Sequence, residues 1–174
     1  MKKKTIKNYS GFTLVELLVV MAIISILAVI SLANFRTSQI KARDAERKND
    51  LRQIANALEA YMSDHATYPA VSSGKIKSCS SASTCSPSTV VDCEWGTTPR
   101  EFCDTNNTVY MKEIPDDVIA NPPGQPHYCY WSDGKSFKLY AKLENSNDPE
   151  VKGPFTCAGI NTYNLGIASG NTTP

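Results

Sequence analysis

The pattern of apolar and polar positions changes character three times along the chain. From Phe12 to Phe35 the residues are almost all apolar, and Glu16 is the one charge among them. Such a run is long enough to span a bilayer, because about 20 apolar residues at ~1.5 Å rise cross the hydrocarbon core of roughly 30 Å. From Ile40 to Met62 the pattern becomes periodic. Ile40, Leu51, Ile54, Ala55, Leu58, Tyr61 and Met62 recur at three- and four-residue steps. Lys41, Arg43, Asp44, Glu46, Arg47, Lys48, Asp50 and Arg52 fill most of the gaps. No Gly or Pro interrupts from Phe12 to Asp64, so the pattern predicts one helix of about 53 residues, roughly 80 Å long. The apolar period is too short for a coiled-coil seam. The stripe on the second half must therefore be covered by the rest of the chain.

The third change follows Ser63-Asp64-His65-Ala66-Thr67-Tyr68-Pro69. Pro69 forbids helical continuation and biases Tyr68 away from the α region. His65, at the helix end, is expected to meet the terminal carbonyls and the helix dipole. From Val71 to Thr108 the chain is rich in Ser, Thr and Asn and carries Cys79, Cys85, Cys93 and Cys103. Four thiolates can hold zinc, but these spacings contain no close C-x₂₋₄-C pair. Two disulfides stapling a surface loop that buries little are the expectation. Val109 to Ile114 reads as a short strand. Pro115, Pro122, Pro123 and Pro126 then mark an irregular link.

The strongest sheet signal spans residues 127–144. His127 to Trp131 and Ser136 to Glu144 flank Ser132-Asp133-Gly134-Lys135, and an Asp-Gly pair between β-rich runs is a hairpin signal. Phe137, Leu139, Ala141 and Leu143 share one face of the second strand, with Lys138, Tyr140 and Lys142 on the other. The apolar face is expected to dock on the helix stripe, each buried side chain contributing about 1.5–3 kcal/mol. Cys157 lies far enough on to return to Cys129. That closed loop would stabilise by about 3–4 kcal/mol in the chain-entropy model. Sequence alone leaves 15 ways of pairing six cysteines. The tail after Ala158 is expected to add one edge strand or to fray.

Composition narrows the function. With 174 residues there is room for one compact domain beside a membrane helix. Removing the four lysines of the first eleven residues turns a formal charge of +1 into −3. That is a mild balance with no nucleic-acid footprint. Six cysteines point to an oxidising compartment. An ordinary secretory signal cut after Ser31-Leu32-Ala33, leaving Asn34 first, is the competing reading of the N-terminus. Against it stand Glu16, which would interrupt the apolar core of such a signal, and the length of the run.

The leader with Lys2, Lys3, Lys4 and Lys7, then Gly11-Phe12-Thr13-Leu14-Val15-Glu16 and the apolar helix, resembles the type IV pilin-like superfamily. That superfamily includes type IV pilins and the major pseudopilins of type II secretion. The resemblance implies an α+β fold in which a long N-terminal helix packs on a small antiparallel sheet. It implies a cleaved leader at residues 1–11, a transmembrane and filament-core helix at 12–35, an amphipathic half at 36–67, and a disulfide-stabilised extracytoplasmic head at 68–174. It also implies cleavage by a prepilin peptidase between Gly11 and Phe12, N-methylation of Phe12, and an assembly role for Glu16. Tyr68-Pro69 is similar to the aromatic-proline pair that follows the helix in major pseudopilins. Ala33 stands where many relatives carry a proline, which implies a less bent helix.

The partners implied are further copies and minor pilins, the peptidase, a membrane platform protein, an assembly ATPase and the lipid bilayer. The location implied is the cytoplasmic membrane with the N-terminus inside, then an extracytoplasmic filament. No Gly-rich phosphate loop, G-x-S-x-G elbow or paired-histidine motif occurs, so no enzyme is expected. No cofactor is expected either. Asp133, Glu144, Asp148 and Glu150 are the acids that would serve calcium, which major pseudopilins bind in a C-terminal loop. Their spacing is not an EF-hand. Asn106-Asn107-Thr108 and Asn171-Thr172-Thr173 are sequons. The expected function is a filament subunit. The alternative is a monomeric adhesion or binding domain, anchored or secreted.

Overall fold

The computed structural model describes residues 11–80, 85, 90–96, 101–119, 126–170 and 172–174, with the side chains of residues 30–34, 90 and 161 outside that description. The leader up to Ser10, residues 120–125 of the Pro115–Pro126 link and Asn171 of the second sequon lie outside the described residues. The chain divides into two units, Met1–Gln39 and Ile40–Pro174. One helix, α1 (Leu14–His65), supplies residues to both.

In the first unit every residue from Gly11 to Val29 is exposed, on all sides of α1. Among the described residues no helix is long and apolar enough to cross a membrane.

In the second unit α1 ends where the sequence directs. The Ala66 amide donates to the Met62 carbonyl (2.8 Å) with Ala66 at φ 55°, a left-handed helix terminus. Pro69 follows, directly before the strand that begins at Ala70. Among the described residues eleven short strands cover the helix: β1 (Ala70–Ser72), β2 (Lys75–Lys77), β3 (Cys79–Ser80), β4 (Val90–Val91), β5 (Phe102–Cys103), β6 (Val109–Met111), β7 (Cys129–Ser132), β8 (Phe137–Ala141), β9 (Phe155–Cys157), β10 (Ile160–Tyr163) and β11 (Leu165–Ala168). They form antiparallel sheets in the orders β1-β2, β4-β3-β5-β6, β11-β8-β7 and β10-β9. The chain is therefore α+β.

The hairpin of β7 and β8 pairs Ser132 with Phe137, which leaves a four-residue turn, Asp133–Ser136. The Asp133 carboxylate accepts from the amides of Lys135 and Ser136 (2.9 and 2.7 Å). Gly134 sits at φ +85°, where a side chain is strained. Gly134 also fixes the approach of the helix loop, since its carbonyl accepts from the Tyr68 amide (2.9 Å).

Leu51, Ile54, Ala57 and Leu58 of α1 meet Phe137, Leu139, Ala141 and Leu143 in the main core. The other face of β8 is covered too. Tyr140 packs with Cys129, Cys157, Tyr163 and Phe155 in a second cluster, so β8 is not the half-buried strand its alternation suggests. The reason is that β9, β10 and the Cys129–Cys157 bridge fold over the face left for solvent. The tail does not fray, because β11 pairs with β8 from Leu165↔Ala141 to Ala168↔Lys138.

The cysteine loop also differs from a stapled surface excursion. Disulfides join Cys79–Cys93, Cys85–Cys103 and Cys129–Cys157. Cys79, Cys93, Trp95 and Phe102 belong to the main core. Phe102 pairs with Cys79 on one side and Met111 on the other, so apolar residues scattered among polar ones are drawn onto one inner face. His65, expected at the terminal carbonyls, meets this loop instead: its Nε2 lies 3.1 Å from the Asp104 carboxylate, and its ring lies 4.3 Å from that of Tyr61.

Candidate assembly site and helix clamp

Two polar sites lie on α1, one in each unit. The first is the helix start. Thr13 is the N-cap, and Glu16 is three residues on. The Glu16 amide donates to Thr13 Oγ1 (3.3 Å), while Glu16 Oε2 accepts from the Thr13 amide (2.9 Å) and hydroxyl (2.7 Å). This reciprocal pair is a capping box, which satisfies amides that the first helical turn leaves without partners. Thr13-x-x-Glu16 carries that signal in the sequence, where attention to the carboxylate alone misses it. Around the box Phe12 (89% exposed) and Leu14 (79%) open onto solvent with the residues up to Val29. Gly11, Phe12 and Glu16 thus lie together at one helix terminus. The six cysteines lie in the other unit, in the three disulfides.

The second site was hidden among charges that look like a solvated helix face. Asp44, Arg47 and Asp50 are buried. Arg47 is wholly enclosed. Its Nε and Nη2 donate to the two oxygens of Asp117 (2.6 and 2.9 Å), and its Nη1 donates to Asp44 and Glu144 (2.7 Å each). The planar guanidinium suits such a fork, which an ammonium could not fill.

Asp44 passes the contact on to the backbone, accepting from the amides of Glu144 and Asn145 (2.9 Å each). Arg43 holds Glu144 from outside with two hydrogen bonds (2.7 and 2.6 Å). Lys48 Nζ reaches Asp148 at 2.7 Å and Glu150 at 3.3 Å. The apolar stripe thus continues N-terminally as a polar one, four residues at a time, clamping the segments 116–119 and 144–150 to the helix. Only the tertiary partners show that these charges face inward.

The electrostatics follow from the geometry. Hydrogen bonds from Arg43, then from Arg47, hold the Glu144 carboxyl down at about 2, against an ordinary 4.5, although burial opposes them. The Asp148 carboxyl is lowered chiefly by Lys48. Burial acts the other way on Asp50 and raises it, partly countered by a hydrogen bond from Tyr128 (2.7 Å).

A depressed carboxylate contributes stability that is present above its ordinary pKa and lost as pH falls through its folded value. The urea midpoint of the folded chain is therefore expected to hold down to about pH 4.5 and to fall progressively toward pH 2. The Glu144 share is about 1–3 kcal/mol, allowing for its partial solvent contact. Asp50, whose charged form is costly, offsets part of this loss. A Glu144→Gln variant should start from a lower midpoint and show a shallower acid limb. An equal limb in both proteins would remove Glu144 from the account.

An open recess lined by Tyr61, Tyr68, Pro69, Lys77 and Asp133 among others brings no histidine or cysteine to its walls.

Comparison with known proteins returns to the helix start. Residues 6–32 match the prokaryotic N-terminal methylation motif. The chain is 31% identical over 124 residues to type II secretion system core protein G of Aeromonas hydrophila, covering 68% of this chain and 77% of that protein. It is 29% identical over 137 residues to the core protein G of Pseudomonas aeruginosa, covering 78% and 83%. It is also 40% identical over 58 residues to the type IV major pilin protein PilA of Myxococcus xanthus, covering 33% and 26%. No solved structure matches significantly. The methylation motif at a capped helix start whose one charge is Glu16, followed by similarity through most of the chain, leads to one assignment: the chain belongs to the type II secretion system core protein G family of pilin-like proteins.

Proposed function

We propose that this protein is the repeating structural subunit of an extracytoplasmic filament, a type II secretion pseudopilus in the first place. The observation that carries the reading is the methylation motif over residues 6–32, set on a helix start where Glu16 is the single charge in an exposed apolar segment. A prepilin peptidase removes residues 1–11, and Phe12 becomes the methylated first residue. Residues 12–35 then hold the subunit in the cytoplasmic membrane, N-terminus inside, until a platform protein and an assembly ATPase draw it into the filament beside minor pilins. The pseudopilin relatives are matched over most of their length and the pilin over about a quarter of its own, which favours the secretion filament. The role is structural, and no catalytic step is assigned.

Physical chemistry supports the division of labour. A helix that is apolar all round needs lipid or other such helices around it. A carboxylate in that setting costs about 2.5–3.5 kcal/mol on insertion scales. Inside one chain the Thr13 amide and hydroxyl take part of that cost. In a filament the Phe12 amine of a neighbour replaces them with an opposite charge in low dielectric.

The reading is tested by intact-mass and peptide analysis of protein extracted from membranes. The expected first residue is Phe12 with one added methyl. A chain beginning at Asn34 would instead mark a secretory signal and a released monomer.

A further inference from the structure

The acidic loop after β8 does not fit the divalent ion that pseudopilins bind in their C-terminal loop. Calcium asks for six to eight oxygens converging at ~2.3–2.6 Å. Glu144 spends Oε1 on Arg43 and Arg47, and Oε2 on Arg43. Asp148 Oδ1 accepts from Lys48 Nζ (2.7 Å) and from the Glu150 amide (3.0 Å). The carbonyls of Asn145 and Asp148 accept the turn amides of Asp148 and Val151 (3.1 Å each). Glu150 faces both Lys48 and Arg52 (3.3 and 3.8 Å). Asp133 is occupied in its own turn.

We propose that α1 carries the counter-ion for this loop in its own sequence: the Lys48 ammonium, with Arg43 and Arg47 beside it, closes residues 144–150 onto the helix in place of a divalent cation. Arg43 and Arg47, one helical turn apart, and Lys48 next to Arg47 place positive charge where a bound ion would otherwise draw the carboxylates in. The loop then closes as the helix forms, independently of the ions outside the cell. A tethered ammonium also costs no association entropy, which a free ion must overcome.

The test uses the full-length chain in detergent, so it does not depend on filament assembly. Failure of the filament reading would leave its outcome unchanged. Thermal unfolding and amide exchange are recorded in chelator and in millimolar calcium for the wild type, Lys48→Met, Asp148→Asn and, as a control, Lys41→Met. The wild type is expected to unfold at the same temperature in both buffers. Lys48→Met and Asp148→Asn should exchange the Glu150 amide about two- to fivefold faster than wild type in chelator, the range of a partly solvated ion pair. Lys41→Met should match the wild type. Asp148→Asn keeps an oxygen for the Glu150 amide and isolates the charge, should Lys48→Met fold poorly. A wild-type melting temperature raised by calcium, or loop exchange unaffected in both variants, would overturn the proposal.

Discussion

Replacing Glu16 with alanine is expected to abolish filament formation while leaving a folded subunit in the membrane. Insertion becomes easier, because about 2.5–3.5 kcal/mol of carboxylate cost disappears. The capping box goes with it, costing the first turn of α1 about 1 kcal/mol, which a helix of 52 residues absorbs. The head keeps its stability, since that arises in the contacts of Leu51, Ile54 and Leu58 with β8. Assembly bears the loss. The Phe12 amine of each incoming subunit would enter an apolar core with no opposite charge, a defect of about 3–5 kcal/mol when one partner of a buried pair is deleted. Repeated at every subunit, that is ample to stop growth. Glu16→Asp keeps the charge with a shorter reach and should give an intermediate yield. Electron microscopy of sheared filaments, beside membrane fractionation and disulfide mapping, reads the result. Normal filament yield from Glu16→Ala at normal subunit levels would move the protein to the anchored-monomer reading.

The largest effect on the head is expected from Arg47→Met. Arg47 touches Asp44, Asp117 and Glu144 together. Methionine fills much of its volume but withdraws the guanidinium from the buried carboxylates of Asp44 and Asp117. A loss of about 3–5 kcal/mol follows, a drop in melting temperature of roughly 10–15 °C for a chain of this size. Arg47→Lys should recover part of it, keeping the charge without the fork that holds both Asp117 oxygens. Combining Arg47→Met with Asp117→Leu should also recover stability, because an apolar pair replaces an ion pair whose desolvation was costly. The same scan on Arg52→Met, whose side chain is largely exposed, should shift the midpoint by less than about 1 kcal/mol. Equal melting of Arg47→Met and wild type would mean that the clamp contributes nothing to the fold.

Both predictions depend on α1, and the two halves of that helix were legible to different degrees. In the first half each residue's role follows from local chemistry. Composition alone makes residues 12–35 apolar on every side, and Thr13-x-x-Glu16 caps the start through its own backbone. Pro69 ends the run wherever the rest of the chain lies. The alternation of Phe137, Leu139, Ala141 and Leu143 is likewise local, and it places one face of β8 against the helix stripe.

What the tertiary structure alone decided are the partners of residues far apart in sequence. Nothing near Arg47 announces that Asp117 and Glu144, 70 and 97 residues on, will enclose it. Periodicity counts a charge as outward because a lone buried charge is prohibitive, and the pairing that cancels this cost is invisible until the chain folds. The same reason hid the cover over Tyr140 and left the pairing of Cys79, Cys85, Cys93 and Cys103 open. Spacing sets which bridges the chain can reach, whereas the registers of β3, β4 and β5 select Cys79–Cys93 and Cys85–Cys103. Capping, chain breaking and amphipathic period are short-range and were readable. Charge burial, second-face packing and disulfide choice are contacts across the fold, and only the fold supplies them.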